Sequence, residues 1–517
     1  MKVITAKAMQ DIDRRAINEF GITGLQLMEN AGRCCVGEII AEFGMIGRAV
    51  VLAGKGNNGG DGYVIARLLG QNGWHVKVIV LADREQIGGD AAINLEKLPF
   101  EMTTFCTRKG QLPERHTEDI FQADLLVDAL LGTGLSSEVN GIYLETINLI
   151  NASGRPVLSV DIPSGIDSTT GQVLGAAVHA NITVTFAFAK LGHVLFPGAG
   201  HTGRLITSDI GIPQELMESA SGYDFLKNET VRPMLLRRDR SAHKGHFGHC
   251  LIIAGSTGKT GAAALSANSA ARAGSGLVTL AVAESIHTVL EIKTTEVMTS
   301  PLPDAGSGHL ANSAFPAIEK LLAGKDAVAI GPGLDRRPGT YALVQTLVET
   351  VTVPLVIDAD ALNALAEEMT VLKRKKSKQV ILTPHPGEMA RMIGISIQEL
   401  EENRLAIARG FARDYGVYLV LKGARTIIAA PDGATAINGS GNPGMATGGM
   451  GDVLTGIIVS LLGQGYDAGD ACRLGVFIHG YAADMVTDEK GEIGIIATDV
   501  QEKLPYAFSK LLKTKEI

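Results

Sequence analysis

The sequence predicts an α/β protein made of two doubly wound parallel sheets. Three observations carry this. Short β-branched runs alternate with Gly-rich loops and helix-like segments along the chain. The alternation stops across the polar stretch Gln214–Thr230 and then restarts. A length of 517 residues holds two large α/β domains, or about three average ones at roughly 150 residues each. The expected layout is a first domain at 1–215, a linker at 216–229 and a second domain at 230–517.

The elements follow in order. Met1–Glu19 mixes charged and apolar residues at helical spacing and lacks the apolar core of a signal peptide. Arg48–Ala53 reads as a strand, followed by Gly-rich Gly54–Gly62 and helical Tyr63–Gly70. Val76–Leu81, Leu125–Asp128, Pro156–Asp161, Ile182–Phe186 and Leu205–Thr207 read as further strands. The second series is His249–Ala254, Leu277–Val282, Ala327–Ile330, Pro354–Asp358, Val380–Thr383 and Val417–Leu421. Arg425–Ala430 and Ala434–Asn438 read as a hairpin, and Gly439–Gly451 leads into a helix at Asp452–Leu462. Ligands of such sheets sit beyond the carboxyl ends of the strands, where the Gly-rich loops of the first half fall.

Composition narrows the function classes. Apolar residues at 45% and charged residues at 20% exclude disorder. A net charge of −8 and a pI near 5.9 argue against a nucleic-acid partner. Small anions remain open, because backbone amides and single lysines hold phosphates. No run reaches the roughly 18 apolar residues of a membrane span, so no membrane partner is expected. Cys34, Cys35, Cys106, Cys250 and Cys472 are odd in number and lack zinc spacing, which indicates buried thiols and a cytoplasmic setting. The basic run Lys373–Lys378 reads as a solvated helix end.

In the first half, Gly54, Gly56 and Gly59 satisfy G-x-G-x-x-G after a strand, and Asp83 follows the next strand. That is a weak dinucleotide fingerprint. Its filling is unusual. Asn57, Asn58 and Asp61 bring side-chain oxygens, which suit a hard cation, where bare backbone is normal. An Asx-rich helix cap is the plainer alternative. Two more strand ends are loaded: Asp128 with Gly132-Thr133-Gly134, and Asp161 with Ser164. The Gly132–Glu138 loop offers amides to a phosphate. Asp161 ends an apolar strand, where partial desolvation suits proton transfer, with a turn cap as the alternative.

In the second half, Gly255–Thr260 is too short for a P-loop, with two residues between its glycines instead of four. The stronger signal is Gly448-Gly449-Met450-Gly451-Asp452 leading into an apolar helix. Free amides there form an anion hole at the positive end of the helix. Asp452 beside them is placed to take a proton from an attacking hydroxyl, or else is an ordinary helix-start acid. His385 lies between two prolines after a strand, suited to ligand contact or to a cap, and Lys422 ends a strand and can counter phosphate charge.

Asn57–Gly62, Asp128–Leu135 and Asp161–Gly165, over roughly 1–215, resemble the NAD(P)H-hydrate epimerase domain. The resemblance implies a Rossmann-like fold. It implies that Asn57, Asn58, Gly59, Gly60 and Asp61, then Gly132, Thr133, Gly134, Leu135, Ser136, Ser137 and Glu138, with Asp161, bind the hydrated nucleotide. It implies that Asn58, Asp128 and Ser164 surround potassium. The Gly-Gly-Met-Gly-Asp run resembles the anion hole of ribokinase-like kinases. With Gly331–Leu334, Thr383–Glu388 and Lys422–Thr426, over about 230–512, it resembles the ADP-dependent NAD(P)H-hydrate dehydratase domain. That implies hydrate contacts at Ala262, Gly333, His385 and Asp452, and adenine-nucleotide contacts at Lys422, Gly423, Ala424, Arg425, Thr426 and Gly451. ADP as co-substrate, magnesium with it, and a homo-oligomer of four or more chains are expected. The alternatives are a vitamin-precursor kinase fused to a Rossmann-like domain, and a first half that only binds or scaffolds.

Overall fold

The computed structural model describes residues 1–106 and 112–513. They form two compact units, Lys2–Tyr223 and Asp224 onward with Met1.

The first unit is a seven-stranded parallel sheet: β1 Arg48–Ala53, β2 His75–Val80, β3 Thr103–Phe105, β4 Leu125–Ala129, β5 Val157–Val160, β6 Ile182–Phe186 and β7 Arg204–Ser208. Their order is β3-β2-β1-β4-β5-β6-β7. In β1, Leu52 lies beside Ile79 on one side and Asp128 on the other. Every residue of β1 after Arg48 is buried, as a strand covered on both faces requires. Val51 and Ala53 face the cluster holding Met9, Ile12 and Val36. Those residues come from α1 (Ala6–Phe20) and α2 (Gly24–Phe43). Val50 and Leu52 face Leu126, Ile147 and Ile150 on the other side.

The Gly-rich stretch after β1 is where the sequence misleads. Helix α3 spans Asn57–Gln71, starting inside the segment that composition marks as loop. Its glycines serve packing. A Cβ on Gly59 would sit 2.1 Å from the Gly54 carbonyl oxygen, and one on Gly62 would sit 2.7 Å from Ala129 Cβ. Bare backbone lets α3 lie against the sheet.

The second unit carries β8 Tyr223–Leu226, β9 His249–Ile253, β10 Leu277–Ala283, β11 Met298–Leu302, β12 Ala327–Ile330, β13 Leu355–Ile357, β14 Val380–Leu382, β15 Tyr418–Leu421, β16 Ile427–Ala429 and β17 Thr435–Asn438. Their order is β11-β10-β9-β12-β13-β14-β15-β16-β17-β8. Pairing is parallel except at β15–β16 and β16–β17, the expected hairpin. Helices α4 Thr260–Arg272 and α5 Met450–Gly463 pack side by side, with a Cβ on Gly456 falling 2.2 Å from the Ser266 carbonyl oxygen. The linker expected at 216–229 is structured. Gln214–Ser219 is helical and β8 pairs in parallel with β17, because Phe225 and Leu226 are buried despite polar neighbours. Sequence patterning also passes over β3 and β11, short edge strands whose residues are mostly half-exposed. All five cysteines are free thiols. No helix among the described residues is long and apolar enough to cross a membrane.

Candidate active sites

A cavity of about 650 Å³ opens in the first unit at the carboxyl ends of its strands, lined by Asn57, Asn58, Asp61, Asp161 and the 132–137 loop. Asp161 follows β5 in the left-handed region at φ 62°. That conformation costs a non-glycine residue and needs anchoring. Its amide donates to the Val184 carbonyl at 2.8 Å. His193 Nδ1 accepts the Lys190 amide, so Nε2 carries the proton and donates to the Asp161 carbonyl at 2.8 Å. The Asp161 carboxylate takes Lys190 Nζ at 2.6 Å and Thr185 Oγ1 at 2.9 Å. Burial pushes the Asp161 carboxyl up, but Lys190, His193 and Thr185 together hold it below the usual carboxylate range. The carboxylate is therefore held in its ionised form.

Asp61 differs. Among the described residues nothing donates a hydrogen bond to its carboxyl, which burial and the charges of Asp161 and Asp13 push well above the ordinary value. Asp13, on α1, lines the same cavity and is raised to about 6, chiefly by burial. Lys190 and Asp13 escape sequence reasoning. The signal for Lys190 is a lone cation in the apolar stretch Ile182–Leu191. Asp13 lies in a charged helix and offers none.

Several expected contacts are placed differently. Gly59 and Gly60 are buried against Gly54 and Met28 and are not themselves among the residues lining the cavity. Glu138 is exposed and is not among the residues lining the cavity. Asp83 is exposed and caps a short 3-10 turn. Asp128 is fully buried and takes four donors: Ser159 Oγ at 2.8 Å, Ser164 N at 2.9 Å, Ser164 Oγ at 2.5 Å and Leu130 N at 3.3 Å. Ser164 Oγ also accepts from Leu131 N at 2.9 Å. The clasp therefore fixes the start of the phosphate-type loop. Asn58 packs on Gly132, and its buried Nδ2 has no partner among the described residues.

In the second unit Asp452 sits in the first turn of α5, whose N-cap is Gly449 at φ 89° with no side-chain cap. Burial, then the charge of Asp358, pushes Asp452 up to about 7 against the pull of Lys422. Lys422 Nζ pairs with Asp358 at 2.8 Å and lies 4.0 Å from Glu388. Burial pulls Lys422 down, yet these acids carry it above its ordinary value. Thr455 Oγ1 donates to the other Asp358 oxygen at 2.7 Å. Gly451 leaves room for this pair, since a Cβ there would stand 3.2 Å from Lys422 Nζ. Glu388 is raised to about 7 by burial, and its carboxylate accepts the His385 amide at 2.8 Å.

His385 is the N-cap of the helix Pro386–Ile393, with Nδ1 accepting from Gly387 N at 3.0 Å. Capping fixes the ring, and the side chain stays 54% exposed. Ala262 is the least buried of its three-alanine run, and a Cβ on Gly333 would approach Ala262 Cβ to 3.1 Å, so these two meet. Arg404 braces the Lys422–Thr426 loop through the carbonyls of Lys422 and Ala424, at 3.1 and 3.0 Å. Gly423 and Arg425 have positive φ in that loop, and Arg425 donates to the Gly439 carbonyl at 2.8 Å. Asp358 was not singled out from sequence, although it is an acid beside a strand end like Asp128 and Asp161.

Two parallel-sheet units, each with carboxylates and a lysine at strand ends, define a two-site enzyme acting on nucleotide-type ligands. A family described as NAD(P)H-hydrate dehydratase matches residues 250–506, and one described as YjeF-related protein N-terminus matches 24–192. The bifunctional NAD(P)H-hydrate repair enzyme Nnr of Moorella thermoacetica is 45% identical over 99% of this chain and 97% of its own. That of Escherichia coli is 35% identical over 94% and 90%. A solved ADP/ATP-dependent NAD(P)H-hydrate dehydratase from Bacillus subtilis, co-crystallised with ATP and Mg²⁺, is 32% identical. It covers 56% of this chain and 99% of that one, with a TM-score of 0.49. The chain belongs to the family of bifunctional NAD(P)H-hydrate repair enzymes, with a Rossmann-like first unit and a ribokinase-like second unit.

Proposed function

We propose that this chain repairs hydrated NADH and NADPH. The first unit interconverts the R and S hydrates, and the second dehydrates the S hydrate at the expense of ADP, giving AMP, phosphate and NAD(P)H. The observation that carries the reading is the pair of acid–lysine sites within a chain alike end to end to bifunctional repair enzymes. A vitamin-precursor kinase or a scaffold does not account for both.

In the second unit Asp452 takes the proton of the hydrate hydroxyl as its oxygen attacks the terminal phosphorus of ADP, and AMP leaves. The amides at the start of α5 receive the transferred phosphoryl group. Phosphate then departs far more readily than hydroxide. The Lys422–Thr426 loop and Gly451 hold the nucleotide; Ala262, Gly333 and His385 hold the hydrate. Magnesium accompanies the phosphates, with Glu388 as the nearby carboxylate that suits it. In the first unit Asn57, Asn58, Asp61 and the 132–137 loop bind the hydrate beside Asp161. Potassium suits the oxygens of Asn58, Asp128 and Ser164. Taking an ion there exchanges part of the Asp128–Ser164 clasp for contacts from these oxygens, with Asn58 contributing Oδ1. A homo-oligomer of four or more chains in the cytoplasm completes the proposal.

The test is direct. Incubating the protein with mixed NADH hydrates and ADP restores the dihydropyridine absorbance completely. With ADP omitted, a purified epimer relaxes to the mixture with no gain in absorbance. Consumption of only one epimer would remove the epimerase reading.

A further inference from the structure

Asp61 and Asp161 line one cavity in opposite dress. Asp161 is held by Lys190 and Thr185. Asp61 receives no hydrogen bond from any described residue. It is the fifth residue of α3, past the turn whose free amides would steady an anion. The charged and titratable groups facing it are Asp161, Asp13 on α1, Lys190 and the Cys35 thiol on α2. The only cation among them is already bound to Asp161.

We propose that Asp61 is the proton donor of the first site and works against ionised Asp161 across the cavity. This rests on the epimerase reading of that unit. Water adds to the nicotinamide enamine at the carbon beside the ring nitrogen, so the hydrate is a carbinolamine. Its C–N bond breaks with the electron pair going to nitrogen, which takes the Asp61 proton. The hydroxyl proton passes to Asp161, and the O–H pair becomes the second bond of an aldehyde. The aldehyde turns its other face to nitrogen, and ring closure reverses both transfers. Each carboxyl ends as it began, so the site needs one ionised and one protonated acid and no net proton. Environments that drive two neighbouring carboxyls apart are how such a division of roles is built. Burial and like charge push the Asp61 carboxyl well above its ordinary value and so favour its protonated form, while Lys190 keeps Asp161 ionised.

The experiment is the pH–rate profile of epimer interconversion by the full chain without ADP. Asp61→Asn should lower kcat by at least about 10²-fold. It should also erase the alkaline limb of the profile, while ADP-dependent dehydration of pure S hydrate by the same protein stays normal and shows that it is folded. Asp61→Glu should be slower than wild type yet keep the limb. Asp13→Asn should move the limb to lower pH, because a negative neighbour that raises Asp61 is gone. Near-normal kcat in Asp61→Asn, an alkaline limb that survives in it, loss of the limb in Asp61→Glu, or a limb unmoved in Asp13→Asn each overturns the assignment. A wild-type protein that does not interconvert the epimers would instead overturn the epimerase reading itself.

Discussion

Replacing Asp452 with Asn should stabilise the second unit while disabling it. Burial and Asp358 raise the folded-state carboxyl from 3.8 to about 7. Between these values the folded protein keeps a proton that the unfolded chain gives up, so stability falls as pH rises. The stabilisation from the neutral carboxyl is fully present below the unfolded value and lost as pH climbs through the folded one. Asn carries no such linkage. The advantage of Asp452→Asn over wild type should therefore grow by about 1.4 kcal/mol per pH unit between about pH 4 and about pH 7. It then levels off at an upper bound of about 4 kcal/mol. Urea unfolding followed by circular dichroism measures this. Trp74, the only tryptophan and buried in the first unit, provides a fluorescence transition that should not move. Wild-type dehydration should rise with pH to a plateau above about 7 as Asp452 ionises. The Asn variant should lose about 10² to 10⁴ in rate while still binding ADP. A stability gap independent of pH, or near-normal dehydration in the variant, would refute the reasoning.

Lys190→Met should raise the Asp161 carboxyl, since burial is then unopposed by the cation, and shift the acidic limb of epimerisation upward in pH. An unchanged acidic limb in the pH–rate profile would show that Lys190 does not set Asp161. Lys422→Ala should raise the KM for ADP well above any change for the hydrate. It should also cost about 3–5 kcal/mol in denaturant unfolding, because Asp358 is left buried and unpaired. Adding Asp358→Asn should recover stability and not ADP affinity. Asp128→Ala strands the four donors of its clasp. It should weaken hydrate binding in the first unit, read by the KM for epimerisation, with dehydration of the S hydrate near wild type.

Much of this was legible in the sequence because parallel sheets write themselves plainly. Buried strands such as Ala327–Ile330 and Leu355–Ile357 are unbroken apolar runs, and glycine marks the loop after the first, at Gly331 and Gly333. The misreadings share a cause. Glycine in α3 reports close packing rather than loop, and no local pattern separates the two until Gly54 and Ala129 are seen against the helix. Strand β8 hides because only Phe225 and Leu226 of its residues are buried. Sequence finds acids at strand ends, but not which of them meets a lysine. Lys190 reaches Asp161 from 29 positions away, and Lys422 reaches Asp358 from 64. Such pairings belong to the fold, so the protonation state of each acid is not readable from its neighbours in the chain.

The two sites solve one electrostatic problem in the same way. Each places a carboxylate against a lysine, Asp161 with the buried Lys190 and buried Asp358 with the half-buried Lys422. Each then sets a second acid nearby that no cation among the described residues pairs with directly. The lysine is neutralised by its partner, so the second carboxyl faces burial and a like charge, and its pKa climbs. In the first unit that acid is Asp61 and in the second it is Asp452, raised to about 7. What differs is the use. An acid pushed well above its ordinary value suits proton donation, whereas one poised near 7 exchanges its proton easily at working pH, which suits a base facing an incoming hydroxyl. The lysines therefore act at a distance on the chemistry. By holding Asp161 ionised, Lys190 keeps in place the negative charge that tunes Asp61. Exchanging Lys190 for a neutral residue should disturb the titration of two acids at once, Asp161 directly and Asp61 through it.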